Sequence, residues 1–214
     1  MKTKSFLTLL SICLLFQMSL SQCAQKQTKS QVTTVTQAGH EWIDLGLSVK
    51  WATFNVGANN PEEYGNYYAW GETSTKSNYD EYNCKTWERS LSDIHGNSFY
   101  DAARANWGGS WRLPTKAEFD ELRNNCTRQW TTQNGVKGVR FTSKRNGNSI
   151  FFPAAGCRDG TSTYDAGLGG IYWSSTPYES NSQRAYGLYF GSGDIAFTDW
   201  YRRYYGRTVR PVVE

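Results

Sequence analysis

The alternation of apolar and polar residues predicts short strands toward both ends of the chain. Apolar-rich runs lie at residues 42–45 and 49–53, and later at 139–143, 149–152, 171–175, 185–190, 194–198 and 208–213. Asn146-Gly147 separates two of these runs, and Gly191-Ser192-Gly193 separates two others. Glycine and asparagine tolerate positive φ, so each of these two pairs of runs predicts an antiparallel hairpin.

Two helices are predicted between the early and late strands. Residues 98–106 contain several alanines before a Trp-Gly-Gly stop, which favours a short helix. A second helix begins after Thr115, because Thr115 and Glu118 have the spacing of a capping box and Phe119 and Leu122 then share one face with Cys126. Residues 58–98 read mainly as loop with strand fragments such as 65–70. The pattern predicts an α+β domain with small antiparallel sheets.

The N-terminus has the pattern of a secretory signal peptide. Lys2 and Lys4 precede an apolar run at residues 6–16, and small or polar residues follow. The run is shorter than the roughly 20 residues that span a bilayer. Residues 1–21 are therefore expected to be a signal peptide cut near Ser21. An alternative is a lipoprotein box ending at Cys23, where lipidation would provide the protein's one attachment to a membrane.

Residues 22–40 are rich in Gln, Thr, Ser and Lys and are expected to form a flexible tether. The domain is expected to span residues 41–214. The formal charge of +4 falls to about +2 once Lys2 and Lys4 are removed. That small excess is no footprint for nucleic acid, which requires a clustered basic face.

Aromatic residues dominate the composition of the domain. The chain contains 9 Trp, 14 Tyr and 10 Phe beside 20 Gly, so rings must supply much of the buried area. We expect some Tyr and Trp rings to remain at the surface, since one small core cannot hold them all. Cys84, Cys126 and Cys157 remain after the leader segment, in a spacing that matches no zinc motif.

Several motifs carry a resemblance to a known family. They are NWGGSWRLPTKAEF at residues 106–119, DLGLSVKWA at 44–52, YAWGE at 68–72, FPAAG at 152–156, YWSS at 172–175 and VRPV at 209–212. In this order they resemble the Fibrobacter succinogenes major paralogous domain, over about residues 41–214. That resemblance implies a C-type-lectin-like fold, in which the final strand returns beside the first and a loop-rich face serves recognition.

The motif at residues 112–119 also resembles the formylglycine-generating enzymes of the same fold. That branch implies paired C-terminal cysteines that work with copper, and no Cys follows Cys157 here. The chain also lacks a Gly-x-Ser-x-Gly elbow, and the calcium and sugar motifs of true C-type lectins. His95 reads as a solvated loop residue, and Glu62, Glu63, Glu72, Asp159 and Asp165 read as surface carboxylates. We therefore expect a protein that is no enzyme and has no cofactor or metal.

The C-terminal part of the chain concentrates residues typical of binding hot spots. Residues 199–206 lack a period-two pattern and are predicted to form a loop rich in Trp, Tyr and Arg. The candidate ligand-binding residues are Tyr178, Asp199, Trp200, Tyr201, Arg202, Tyr204 and Tyr205. The alternative is that these rings pack the core under arginine stems, and for Tyr186 and Phe190 core packing is favoured.

These observations predict an exported recognition module, on the cell surface or secreted, that binds a glycan or a surface protein. Two alternatives remain. One is a structural part of an envelope or surface assembly, and the other is a relative of the formylglycine-type enzymes.

Overall fold

The computed structural model of the chain describes residues 35–37, 39–193 and 195–214. The expected signal peptide, residues 1–21, and Cys23 lie outside these residues. The strands are β1 (Val35–Gln37), β2 (His40–Ile43), β3 (Lys50–Ala52), β4 (Cys126–Gln133), β5 (Val136–Ser143), β6 (Ser149–Pro153), β7 (Cys157–Asp159), β8 (Ser162–Tyr164), β9 (Gly169–Pro177), β10 (Arg184–Gly191), β11 (Ile195–Arg202) and β12 (Val212–Val213). The helices are α1 (Ala102–Trp107) and α2 (Lys116–Asn125), and Glu81–Asn83 forms a 3-10 turn.

The strands form small antiparallel sheets. Their orders are β1-β2-β3-β12, β11-β10-β9, β4-β5-β6 and β7-β8. Val212 of β12 pairs with Trp51 of β3, so the end of the chain returns to the sheet formed by its first described strands. The predicted α+β class with two short helices and small sheets is confirmed. Strand β1 and His40 of β2 lie within the segment that was expected to be a tether.

Helix α2 begins where its capping box predicts. The Thr115 hydroxyl accepts a hydrogen bond from the Glu118 amide at 3.2 Å, and the Glu118 carboxylate accepts one from the Thr115 amide at 2.7 Å. Phe119 and Leu122 are fully buried on the inner face of the helix. Cys126 is also buried, but it caps the helix and starts β4 instead of extending the apolar helical face.

Helix α1 starts later than residue 98, the predicted start. The Asp101 carboxylate accepts hydrogen bonds from the amides of Ala103 and Arg104, which fixes Asp101 as the N-cap. The helix ends at Trp107, and Gly108 follows with φ of 68°. A left-handed backbone at this position favours glycine, so the predicted stop signal is confirmed.

The turns of three hairpins differ in how clearly the sequence predicts them. The predicted hairpins around Asn146-Gly147 and residues 191–193 join β5 to β6 and β10 to β11. A third joins β4 to β5 through Asn134 and Gly135, whose φ angles are 46° and 83°. This Asn-Gly turn was not predicted, because the mostly polar residues of β4 gave no strand signal.

Aromatic rings fill the main core. The Phe152 ring lies at its centre, with its centroid 5.4 Å from Phe141 and 5.0 Å from Tyr172. Trp51 packs 5.5 Å from Phe119 and 6.0 Å from Phe152. These five side chains are fully buried, as the shortage of aliphatic residues predicts.

The stretch between β3 and α1 is organised by single contacts. The predicted strand fragment at 65–70 consists of one bridge, in which Tyr68 and Arg207 exchange backbone hydrogen bonds at 2.9 Å. The predicted last strand at 208–213 is similarly reduced to Val212–Val213, with a separate bridge between Thr208 and Tyr172. These contacts bring the C-terminal arginines into the centre of the domain.

Candidate functional site

The outer part of the β9-β10-β11 sheet carries a group of aromatic and basic side chains at the surface. Tyr186 pairs directly with Trp200 across β10 and β11, and Arg184 pairs with Arg202. Directly paired residues of antiparallel strands point to the same face, so these four side chains share one side of the sheet. Tyr178 follows β9 and joins them. We call Tyr178, Arg184, Tyr186, Trp200 and Arg202 the Trp200 surface.

The rings of the Trp200 surface contact one another in a fixed arrangement. The Tyr178 ring lies 5.7 Å from Trp200 and 5.6 Å from Tyr186, measured between ring centroids. The Arg184 guanidinium lies 3.7 Å from the Trp200 ring centroid, within the range of a cation–π contact. Trp200 nevertheless keeps 38% of its surface exposed. The group therefore offers ring area to solvent from side chains that already contact one another.

The prediction that residues 199–206 form a loop is wrong for residues 199–202, which belong to a strand. Strand β11 continues to Arg202, and each of its residues pairs with β10. The period-two pattern is missing because the two faces are both partly covered here. Asp199 and Arg202 are exposed, and the Asp199 carboxylate accepts a hydrogen bond from the Trp200 amide at 2.8 Å.

The other rings of the predicted site pack inward. Tyr201 points to the opposite face of β11, where it contacts Trp173, and burial raises the pKa of its hydroxyl to about 12. Tyr204 is only 8% exposed and packs with Tyr205, 4.6 Å away between ring centroids. Tyr205 is half-buried. A direct ligand contact from Tyr204 is at odds with its burial, so we place the candidate surface at Tyr178 and Trp200.

Three arginines near the C-terminal end of the chain are buried with the rings. Arg203 lies 4.1 Å from the Trp70 ring centroid, Arg207 lies 4.0 Å from that of Tyr201, and Arg210 is fully buried. None of the three forms an ion pair with a carboxylate in the described part of the chain. Burial lowers the pKa of each guanidinium to about 10. Arg203 and Arg210 donate to backbone carbonyl oxygens, whereas Arg207 contacts the rings of Trp173, Tyr201 and Tyr205. Their burial makes all three unavailable to a ligand.

A family model identifies the domain. The model of the Lcl C-terminal domain matches residues 62–210, well over half of the chain. The chain belongs to the Lcl C-terminal domain family. This is the family of the Fibrobacter major paralogous domain, so the resemblance seen in the sequence is confirmed. Neither the curated proteins nor the solved structures that were searched gave a match.

In this Lcl C-terminal domain, the motif at residues 106–119 has a structural role. The Arg112 guanidinium donates to both carboxylate oxygens of Glu118, at 2.7 and 3.0 Å. Glu118 is also the second half of the capping box, and Trp111, within the motif, is fully buried. Arg112 thereby fixes the start of α2, which packs against the sheet that carries Trp200.

The contact between α2 and the β9-β10-β11 sheet includes a partly buried hydrogen bond. The Thr198 hydroxyl donates to the Asp120 carboxylate at 2.7 Å, and Lys116 donates to the other oxygen at 2.6 Å. Partial burial would raise the pKa of Asp120, but these bonds more than offset it, and the pKa lies below the ordinary value of 3.8. Asp120 thus favours its charged form in the folded protein.

The low pKa of Asp120 predicts a loss of stability in acid. A depressed pKa stabilises the fold above pH 3.8, and this contribution is lost as the pH falls through the folded-state pKa. Asp120→Asn should therefore flatten the pH dependence of the free energy of unfolding below about pH 4, measured by urea denaturation at a series of pH values. The control is Asp159→Asn, an exposed carboxylate without a side-chain hydrogen bond in the described residues. Equal flattening in both variants would contradict the assignment.

The candidate catalytic groups do not assemble into a site within the described residues. His95 is exposed, as predicted, and its Nδ1 lies 3.0 Å from the Asp93 carboxylate. The nearby Thr176 hydroxyl donates to the other oxygen of Asp93 at 2.7 Å, so its acceptor is Asp93 and not the imidazole. No group of three or more His, Cys, Asp or Glu among these residues could hold a metal ion.

Two of the carboxylates expected at the surface have structural partners. Glu72 is buried, which corrects its assignment as a surface residue, and it accepts hydrogen bonds from Lys76 Nζ and the Lys85 amide. Glu62 accepts hydrogen bonds from the side-chain amides of Gln133 and Asn134, both at 2.7 Å. The Glu62 contacts join residues 71 and 72 positions apart, whereas those of Glu72 are to residues 4 and 13 positions away.

The three cysteines of the described residues are free thiols. Cys84 and Cys126 are buried, and Cys157 is partly exposed. Burial raises the pKa of all three thiols.

Among the helices that the structure describes, none has the length and apolar character needed to cross a membrane.

Proposed function

We propose that this domain is an exported, non-catalytic recognition module that binds a glycan or a surface protein through the Trp200 surface. The observation that carries the proposal is the exposed Trp200 ring, which stands in a connected group with Tyr178, Tyr186 and Arg184. Trp, Tyr and Arg dominate binding hot spots because they combine large contact area with polar atoms. Rings that already contact one another lose little conformational entropy when a ligand binds.

We further propose a C-type-lectin-like fold for the domain. The return of β12 beside β3, the two short helices and the small antiparallel sheets support this assignment. The motif at residues 106–119, one of those on which the resemblance to this fold rests, lies within the match to the Lcl C-terminal domain model. In this fold the helices and sheets act as a scaffold, and recognition depends on the surface that they present.

Export is the third part of the proposal. Its support is the charged, apolar and polar order of residues 1–21, with Cys23 as the residue that a lipid anchor would use. The partners we propose are a glycan or a protein on a surface, and the small net charge gives no reason to include nucleic acid. Membrane attachment would depend on lipidation of Cys23.

The decisive experiment compares two exposed rings on opposite faces of β11. Trp200 is 38% exposed and Phe197 is 39% exposed, so Phe197→Ala removes a similar ring area from the other face. The full chain and its Trp200→Ala, Tyr178→Ala and Phe197→Ala variants would be applied to arrays of glycans and of surface proteins. We expect Trp200→Ala and Tyr178→Ala to weaken capture at least tenfold, the effect of losing about 1.4 kcal/mol of binding energy.

The control should retain capture within about threefold, and circular dichroism should show equal melting temperatures for all variants. Unchanged capture by the Trp200→Ala variant would contradict the site. Capture on the glycan array alone would identify the ligand as a glycan, and capture on the protein array alone would identify it as a protein. Loss of capture in Phe197→Ala alone would move the binding surface to the opposite face of the sheet.

A second candidate, a structural part of a surface assembly, is favoured by Cys157. It is the partly exposed thiol of the three in the described residues, so a disulfide to another chain is sterically accessible there. Non-reducing electrophoresis of the exported protein would show a covalent oligomer that disappears in Cys157→Ser. A monomer under these conditions would exclude this route of assembly.

A further inference from the structure

A cavity lies against the β4-β5-β6 sheet, and its lining includes Ile43 and Ile150 of the main core. It has a volume of about 170 Å³. Its floor and walls include polar and apolar side chains from three parts of the chain: Ile43, Thr53, Gln133, Arg140, Ser149 and Phe151. The Trp200 surface belongs to the β9-β10-β11 sheet, so this cavity is separate from the proposed recognition surface.

The cation of this cavity is held in place but is not neutralised. Arg140 Nη2 donates to Gln133 Oε1 at 3.1 Å, and the amide of Gln133 donates in turn to Glu62 at 2.7 Å. No ion pair involves Arg140 in the part of the chain that the structure describes. A guanidinium has five N–H donors, so several remain for a ligand once Gln133 has accepted one.

The apolar side of the cavity is provided by a ring in a fixed position. Phe151 is only 4% exposed, and it pairs with Arg140 across β5 and β6, so both side chains lie on the same face. The Phe151 ring lies over Gly138, where a Cβ atom would come 2.6 Å from the ring carbon Cζ. Gly138 therefore permits the ring to lie close to the sheet.

The cavity combines a guanidinium with free donors, the hydroxyl of Ser149 and an apolar floor. A carboxylate accepts two parallel hydrogen bonds from a guanidinium, which is a strong and directional contact. A cavity of roughly 150 Å³ can hold a molecule the size of benzene. We propose that this cavity binds small organic carboxylates whose apolar body, up to the size of one ring, lies against Phe151.

The test uses benzoate as the probe and benzamide as its neutral counterpart. The full chain, labelled with ¹⁵N, would be titrated with each compound and followed by NMR. We expect benzoate to give saturable shifts at residues 138–142 and 149–151, and benzamide to bind at least tenfold more weakly, because it lacks the charge that Arg140 recognises. Equal affinity for the two compounds would overturn the proposal.

Two variants separate the cavity from a general effect of charge. Arg140→Gln removes the cation and should weaken benzoate binding at least tenfold, whereas Arg128→Gln removes an arginine from the other face of the same sheet and should leave it unchanged. Equal melting temperatures by circular dichroism establish that both variants fold. An unchanged affinity in Arg140→Gln would refute the role of Arg140.

Further ligands define the chemical class. Inorganic phosphate binding as tightly as benzoate would show a general anion site and reject the specificity for carboxylates. N-acetylglycine mimics the C-terminus of a peptide, so tighter binding of N-acetylglycine than of benzoate or propanoate would identify a peptide carboxylate as the source. The reverse order would identify a free small acid, and either order supports the proposal.

Discussion

Replacing Asp101 with Ala is expected to destabilise the domain by roughly 3–5 kcal/mol. The Asp101 side chain is fully buried, and its two oxygens accept hydrogen bonds from four backbone amides. Two of these belong to the first turn of α1, and the others belong to Gly96 at 2.7 Å and Leu113 at 2.9 Å. The substitution removes a helix cap and leaves buried N–H groups without acceptors, each of which costs ~1–3 kcal/mol.

The measurement is the free energy of unfolding from urea denaturation, followed by tryptophan fluorescence. Asp80→Ala is a matched control, because Asp80 caps the 3-10 turn Glu81–Asn83 through one backbone amide near the surface and accepts one further hydrogen bond, from the Asn78 side chain. Loss of a cap of this kind costs about 1 kcal/mol. The prediction is wrong if the two variants lose the same stability. A large effect at Asp101 would also show that its hydrogen bond with the Leu113 amide links α1 to the motif at which α2 begins.

Local signals in the sequence were sufficient for several elements. The start of α2 depends on Thr115 and Glu118, three residues apart, and the hairpin between β5 and β6 depends on Asn146-Gly147. Such features form from neighbouring residues, so the sequence pattern contains nearly all the information needed. Strand β4 was missed because Cys126 alone of its residues is fully buried, and a mostly polar strand shows no alternation.

Contacts between distant residues account for the errors at the C-terminus. Arginine is rarely buried, so no local feature of the sequence predicts that Arg203, Arg207 and Arg210 lie in the interior. Their burial depends on rings and carbonyl groups far away in the chain, such as Trp70 and the backbone oxygens of Thr86 and Arg89 for Arg203. No local pattern marks such a pairing.

The candidate surface was predicted only in part, because the exposure of its residues also depends on contacts between distant parts of the chain. Tyr186, Leu188 and Phe190 lie on one face of β10, and core packing was favoured for Tyr186 and Phe190. Phe190 is fully buried, but Tyr186 is only half-buried, and Lys116 at the start of α2 lies 5.3 Å from its ring centroid. The residues of one strand face thus differ in exposure according to where the helix that covers them begins, which depends on the tertiary structure.

Replacing Gly156 with Ala is expected to cost roughly 3–5 kcal/mol or to prevent folding. Gly156 has φ of 64°, which strains any residue with a Cβ by ~1–2 kcal/mol. An added Cβ would also lie 2.6 Å from the Ala166 amide nitrogen and would clash with the Tyr164 carbonyl oxygen. Both neighbours are backbone atoms, so neither can rotate away as a flexible side chain would.

Gly167→Ala separates the two contributions, because Gly167 has φ of 79° with no atom within 4 Å of a Cβ at that position. The control should lose only the ~1–2 kcal/mol of backbone strain, measured as the free energy of unfolding in urea. A Gly156→Ala variant as stable as the control would show that the segment after β8 can move away from Gly156. The larger loss that we expect would instead establish that the close contact of these two backbones, next to the bridge between Gly156 and Gly170, is required for the β7-β8 hairpin to pack on the β9-β10-β11 sheet.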